Sequence, residues 1–352
     1  MSETAKRALV ATAVAVAVVA CAVALWKLKV LIALVFLGFV LAAAMRPGID
    51  ALARHRVPRA AGLALHYLGL AAVIGLLLWL VVPRAVDQVS AAIGGVPTSQ
   101  EELAQQTRRS TGIKHEFLQG VQGWLEDLPS AGGVFHGAIT VGVKAFEILI
   151  GIFFVLATAA YWIFERDRTM RLVLAGVPAR RRRVLRDTWE LIDLKLGAFV
   201  RGQLLLIAFV AVVLSLCFWA IGLPFWLLLG IFAGVVEIVP VIGPLVAGAA
   251  AVGVGLTESW QLALAAGLVV LGVRLLEDYV VIPRVMGHAV GLSPLLVLVS
   301  VTAVGLLFGG FYVLLAIPLV AVLATLVDVL LRDRDPADEE VPAVLFAKES
   351  QG

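Results

Sequence analysis

The chain reads as an all-α polytopic membrane protein, with broken helices in its C-terminal half and a small helical segment outside the membrane. Three observations predict that class. Hydrophobic residues make up 61% of the 352-residue sequence and charged residues only 15%, far from the balance of a soluble domain. Apolar runs near the ~20 residues that cross a bilayer core recur along it. From 202 to 331 the apolar character is nearly continuous, and proline and glycine rather than charge provide the punctuation. The net charge of +3 decides little, because the positions of the charges matter more than their sum. Cys21 and Cys217 both lie in apolar runs, where a free thiol behaves as a small hydrophobe, so no disulfide framework is implied.

Residues 1–83 hold the first three spans. The first apolar run, 8–26, follows Lys6 and Arg7 and precedes "KLK". "VVAC" at 18–21 resembles a lipoprotein cleavage site, but the next apolar run, 30–45, follows too closely for a secreted domain, so the first run reads as a spanning helix. "MRPGIDALARHRVPRA" then sets Arg46, Arg54, Arg56 and Arg59 against the single acid Asp50, and the positive-inside rule places that loop in the cytoplasm. A third span, about 60–82, leads to residues 84–137, where polar and apolar residues mix. In "HEFLQGVQGWLEDL" Phe117, Leu118, Val121, Trp124, Leu125 and Leu128 recur at helical spacing. They predict short amphipathic helices on the opposite, periplasmic side.

A fourth span, 138–164, returns the chain to a basic linker helix, 165–201, in which ten Lys/Arg outnumber five Asp/Glu. Two arginine-rich segments thus agree on orientation, with both termini cytoplasmic. "ARRRR" at 179–183 is flanked by spans, so attraction to anionic membrane lipids explains it, and no nucleic-acid partner is expected. The region 202–331 is punctuated by "GLPFW", "IVPVIGP", "IPRVMG", "GLSP", "FGGF" and "AIP". These predict broken helices whose freed backbone groups are buried in protein or line a wet cavity. Paired interrupted segments point to a transporter's central site. The tail, 332–352, has six acids, three bases and no apolar period, which predicts a disordered cytoplasmic tail.

The sequence holds no P-loop, HExxH, nucleophile elbow or zinc-ligand spacing, and His288 stands alone between glycine-bearing turns. No catalytic residue, metal or cofactor is therefore assigned. Without a nucleotide-binding motif the chain works as a facilitator or by ion or proton coupling, and the reading is a secondary transporter or exporter of a small-molecule or ion substrate. A membrane scaffold that moves no solute is the alternative from another class.

"RPGIDALARHRVPRAAG", "FVRGQLLL", "GLPFWLLLGIFAGVVEIVPVIGPLVAG", "EDYVVIPRVMGHAVGLSPLLVLVS" and "FGGFYVLLAIPLVAV", in this order over about residues 30–331, resemble the AI-2E transporter family of permeases. The resemblance implies about eight spans, an extra-membrane helical segment after the third, a basic helix before the fifth, and a homo-oligomer in the bacterial inner membrane. It also implies export of the signal autoinducer-2 or a similar small metabolite, or exchange of sodium or lithium for protons. Small residues in the spans, Gly248, Ala249, Ala250, Gly253 and Gly255, would let helices approach closely, between protomers or within one.

Candidate site residues are the charges inside the apolar half. Arg274, Glu277 and Asp278 stand at i, i+3 and i+4, so on a helix they share one face and neutralise one another. An unpaired charge at the bilayer centre costs at least about 2.5 to 3.5 kcal/mol, so the trio faces the bundle interior or water. It acts either as an ionic clasp that orients the helix or as charge-handling groups in the transport path. Glu237 in "VVEIVPVIGP" precedes Pro240, Gly243 and Pro244. A carboxylate beside such a break can meet a cation together with unwound carbonyls, or pair with Arg201 or Arg274. Arg201 and Gln203 at the start of the fifth span, and Arg284 after Pro283, are candidates for binding substrate oxygens, with interfacial snorkelling the simpler role for Arg284.

Overall fold

The computed structural model describes residues 3–93, 132–239, 242–285, 292–339 and 341. Three long helices open the chain: α1 (Glu3–Lys27), α2 (Lys29–Arg54) and α3 (Arg59–Ile93). Then come α4 (Gly132–Ala175) and α5 (Ala179–Ala220). The C-terminal half is built from α6 (Trp226–Val236), α7 (Ile242–Glu258), α8 (Trp260–Leu276), a π-helical turn (Glu277–Val281), α9 (Ile282–Val285), α10 (Pro294–Phe308) and α11 (Gly310–Leu331). Five described helices, α2 to α5 and α11, are long and apolar enough to cross a membrane, and shorter apolar helices include α6, α7 and most of α10. The chain is an all-helical, multi-pass membrane protein. Its exposed apolar side chains, such as Leu68, Leu76 and Trp79 of α3, suit hydrocarbon rather than water.

Helix ends fall where charge alone does not predict them. The arginine-rich segment 46–59 is mostly helix, because α2 continues through Pro47 to Arg54 and Arg46 pairs with Asp50 one turn on, 3.4 Å apart. The basic linker and the fifth span are one helix, α5, of 42 residues, and α4 likewise runs past 164 to Ala175. Helical backbone is self-satisfied in water and in lipid alike, so a helix need not end at the membrane surface. The extra-membrane segment expected at 84–137 lies outside the described residues, apart from the end of α3 and the start of α4.

The punctuation in the C-terminal half has identifiable geometry. "GLSP" is a helix start: Ser293 Oγ accepts from Leu296 N at 3.3 Å and Pro294 opens α10, a cap plus a residue whose missing N–H costs nothing there. Gly309 has φ 100°, a left-handed conformation, between α10 and α11, which explains the glycine in "FGGF".

Close packing centres on α5. Gly230 and Gly234 of α6 lie four residues apart and rest on Ser215 and Ala211 of α5, where a Cβ at either glycine would collide. The central core joins Val210, Leu214 and Phe218 of α5 to Leu229 and Ala233 of α6, Ala247 and Ala251 of α7, and Ala266 and Val273 of α8. Of the small residues in α7, Gly255 lies against Ala263 in the α7–α8 hairpin and Gly248 touches Val270, so these two pack within the protomer.

At the basic end an ionic knot joins three helices. Asp193 of α5 accepts from Arg166 Nε of α4 at 2.6 Å and from Arg46 Nη1 of α2 at 3.5 Å. The described part of the tail after 331 lies against the bundle. Pro336 and Val341 are buried and Glu339 pairs with Lys195 of α5 at 2.7 Å, so a buried cation and an apolar contact hold a segment whose composition alone favours solvation.

Packing at the glycines is directly testable. Gly234→Leu is expected to destabilise the protein in detergent by about 1–3 kcal/mol, an overpacking cost. Gly75→Leu on α3, which has open space at its Cβ position, should leave the thermal midpoint unchanged. Equal effects in a fluorescence melting assay would refute the packing assignment.

Candidate functional site: an ionic cluster at a helix break

Arg274 lies near the C-terminal end of α8, two residues before Leu276, and gathers three carboxylates. Its Nη1 lies 3.3 Å from Glu237 Oε1 and 3.1 Å from Glu277 Oε2, and its Nη2 lies 2.9 Å from Asp278 Oδ1. Glu237 and Glu277 are buried, 4% and 2% exposed, while the Asp278 side chain is 40% exposed. The cluster therefore runs from a sealed interior to an open edge.

Local structure explains how the four residues meet. Arg274, Glu277 and Asp278 share a helix face, and the widened π turn begins at Glu277. Such bulges insert a residue into the helical ladder and re-aim the side chains around it. Glu237 comes from another element, the residue that follows α6. Its backbone carbonyl accepts from Gln203 Nε2 of α5 at 2.8 Å. Gly243, in the first turn of α7, lies so close that a Cβ would run into the Val236 carbonyl, so the chain doubles back tightly there. A small cavity of about 10 Å³ adjoins the acids, lined by Glu237, Arg274, Glu277, Pro244, Ala247 and apolar residues of α5, α6 and α8. That is about the room one water needs.

The sequence-derived candidates thus separate. Glu237, Arg274, Glu277 and Asp278 come together, with Gly243 and Pro244 beside them. Gln203 is buried and donates from Nε2 to the Glu237 carbonyl, which braces the break. Arg201 is buried too and donates from Nη1 to the Ala44 carbonyl of α2 at 3.1 Å, one residue from the carbonyl that Pro47 leaves without its helical donor. Arg284 is exposed on α9 and belongs to no described ion pair of the cluster. Pro240 and His288 lie outside the described residues. Among the described residues no group of three His, Cys, Asp or Glu is arranged to hold a metal ion.

Two buried charged contacts escaped sequence reasoning. Asp193 and Arg166 are 27 residues apart in different helices, and no local pattern links them. Lys195 with Glu339 had a partial signal, a lone lysine in "LIDLKLGAF" and acids in the tail, but nothing in the sequence pairs them.

Comparison with known proteins fits this architecture. The AI-2E family transporter model matches residues 14–332. The chain belongs to the AI-2E transporter family. Relatives carry the names of transport proteins. Mycobacterium tuberculosis MT0215 is 28% identical over 325 residues, 89% of this chain and 86% of that protein. Bacillus subtilis YrrI is 28% identical over 208 residues, 57% of this chain, and YueF is 29% identical over 209, 58% of this chain. The matches span 58% and 55% of those two Bacillus proteins. Family membership and the apolar helices together make the chain a multi-pass membrane protein of this family.

The cluster's geometry predicts unequal mutational costs. Arg274→Gln leaves two buried carboxylates without their cation and should cost about 3–5 kcal/mol. Asp278→Asn removes only the half-exposed partner and should cost about 1 kcal/mol or less. Thermal melts of the two variants in one detergent check the order, and a smaller loss for Arg274→Gln would contradict the arrangement.

Proposed function

We propose that this protein is a secondary transporter of the bacterial inner membrane, with both termini and the basic end cytoplasmic, in which Glu237, Glu277 and Asp278 carry the transported or coupling cation or proton. One observation carries this reading: three carboxylates converge on a single guanidinium at a helix break. If all three acids are ionised, one positive charge faces three negative ones, and a membrane interior tolerates that surplus only with a further cation or bound protons. The half-exposed Asp278 supplies an entry edge for such a charge, and the cavity suits a proton, a water or a small cation. A solute of autoinducer-2 size needs more room than the cavity has in this conformation. It would have to move through another state of the same bundle, coupled to the charge held here.

The proposal includes a homo-oligomer, supported by the family resemblance and by open space above Gly253 on α7. It also includes binding of anionic lipid headgroups by the exposed Arg180 to Arg183, which sit on the first turns of α5.

Flux into proteoliposomes under sodium, proton and autoinducer-2 gradients tests the reading. Glu237→Gln keeps shape but removes a titratable group, so it is expected to abolish gradient-driven flux at least tenfold while the protein stays folded. Unchanged flux with unchanged pH dependence in a folded Glu237→Gln, Glu277→Gln, Asp278→Asn triple variant would sink it. Topology has its own check. A cysteine introduced at Ser110 should react with a membrane-impermeant reagent from outside intact cells, and reaction only from the cytoplasmic side would reverse the orientation.

A further inference from the structure

Lys195 is a lysine in an unusual position. It sits in the middle of α5, its side chain is 6% exposed, and its Nζ donates to Thr325 Oγ1 of α11 at 3.1 Å. Its ion-pair partner, Glu339 Oε1 at 2.7 Å, comes from the segment beyond the last helix. The chain reverses there by a defined route. Asp333 adopts a left-handed conformation with φ 48°, which Asp tolerates better than most residues. Arg334 N then bonds back to the Asp328 carbonyl at 3.1 Å, and Arg332 and Arg334 both pair with the Asp328 carboxylate. Past Glu339 the chain places Val341, 9% exposed, in a cluster with Leu191 and Ala198 of α5.

What this segment grips lies directly beneath the ionic cluster. Lys195, Phe199 and Gln203 are spaced by four residues and form one stripe of α5. Phe199 and Val239 of the break both pack against the Val301, Ala316 and Ile317 cluster of α10 and α11, and Gln203 holds the Glu237 carbonyl. On α11, Thr325 bonds to the Ala321 carbonyl at 2.9 Å, one turn below Ile317. A segment that bridges Lys195 and α11 therefore fastens the base of the two helices that flank the break.

We propose that residues 332–339, together with Val341, are a detachable strap, docked through the Lys195–Glu339 ion pair and Val341, that ties α5 to α11 and restrains motion at the site above. The functional half of the proposal rests on the transport reading; the docking half does not. Because Lys195 is buried, loss of Glu339 leaves a charge without compensation and favours release of the strap.

The test uses the full chain, with Cys21→Ala and Cys217→Ala to remove native thiols and Val341→Cys as a reporter. In detergent, Cys at 341 should react slowly with a water-soluble maleimide. It should react about tenfold faster or more when Glu339→Gln or Lys195→Met is added, and slowly again in the charge-swapped Lys195→Glu, Glu339→Lys pair. Rapid reaction in the parent, or slow reaction in every variant, would overturn the strap. In liposomes, Glu339→Gln should raise the initial rate of sodium- or proton-driven flux. Faster labelling with unaltered or lower flux would overturn the restraint. A parent without any flux would count against the transport reading, while the labelling rates still decide whether the strap exists.

Discussion

Glu237 is gripped twice, and the C-terminal half is organised around that fact. Its backbone carbonyl is taken by Gln203 and its carboxylate by Arg274. Both grips answer a single constraint, that hydrocarbon offers no water to satisfy a freed carbonyl or a lone charge. The chain leaves α6 at Val236 and re-enters helix at Ile242, so the helical ladder is interrupted inside the bundle. Side chains from α5 and α8 must then converge on the interruption. The tight crossing of α5 with α6 through Gly230 and Gly234 brings Gln203 within reach, because small residues let backbones approach more closely than side chains would.

The ionic features form levels along α5. At one level Asp193 knots α2 and α4 to it through Arg46 and Arg166. Next, Lys195 joins it to α11 and to the terminal segment. Arg201 ties it to α2 at Ala44, and Gln203 meets the break. A 42-residue helix is longer than the ~20 residues a bilayer core needs, so the helix carries both a water-side set of ion pairs and a membrane-side set of contacts on one rigid element. Rigid coupling of this kind lets an event at one end of α5 bias the other.

The ionic cluster also differs from the knot at Asp193 in its charge balance. Around Asp193 the arginines Arg46, Arg59 and Arg166 meet the carboxylates of Asp50, Asp167 and Asp193, three of each sign, an arrangement that neutralises itself and suits a structural joint. Around Arg274 the acids outnumber the cation three to one. A surplus of carboxylates inside a membrane protein calls for bound protons or a further cation, and that asymmetry is what the proposed transport role rests on.

Composition and pattern by themselves determined the solvent and the secondary structure. Apolar runs of spanning length, few charges, and proline and glycine as breaks could only describe a helical membrane bundle, because no other structure closes its hydrogen bonds in lipid from these residues. The i, i+3, i+4 spacing of Arg274, Glu277 and Asp278 was legible for the same local reason. Tertiary structure alone decided which partner Glu237 takes, since Arg201 and Arg274 were equally available in sequence and only the docking of α8 against the break chooses Arg274. It likewise set Gln203 against the Glu237 carbonyl and folded a charged tail onto Lys195. Each of these depends on contacts between residues tens to more than a hundred positions apart. Such pairings leave no periodic trace along the chain, because they are set by how helices pack and not by how each one forms.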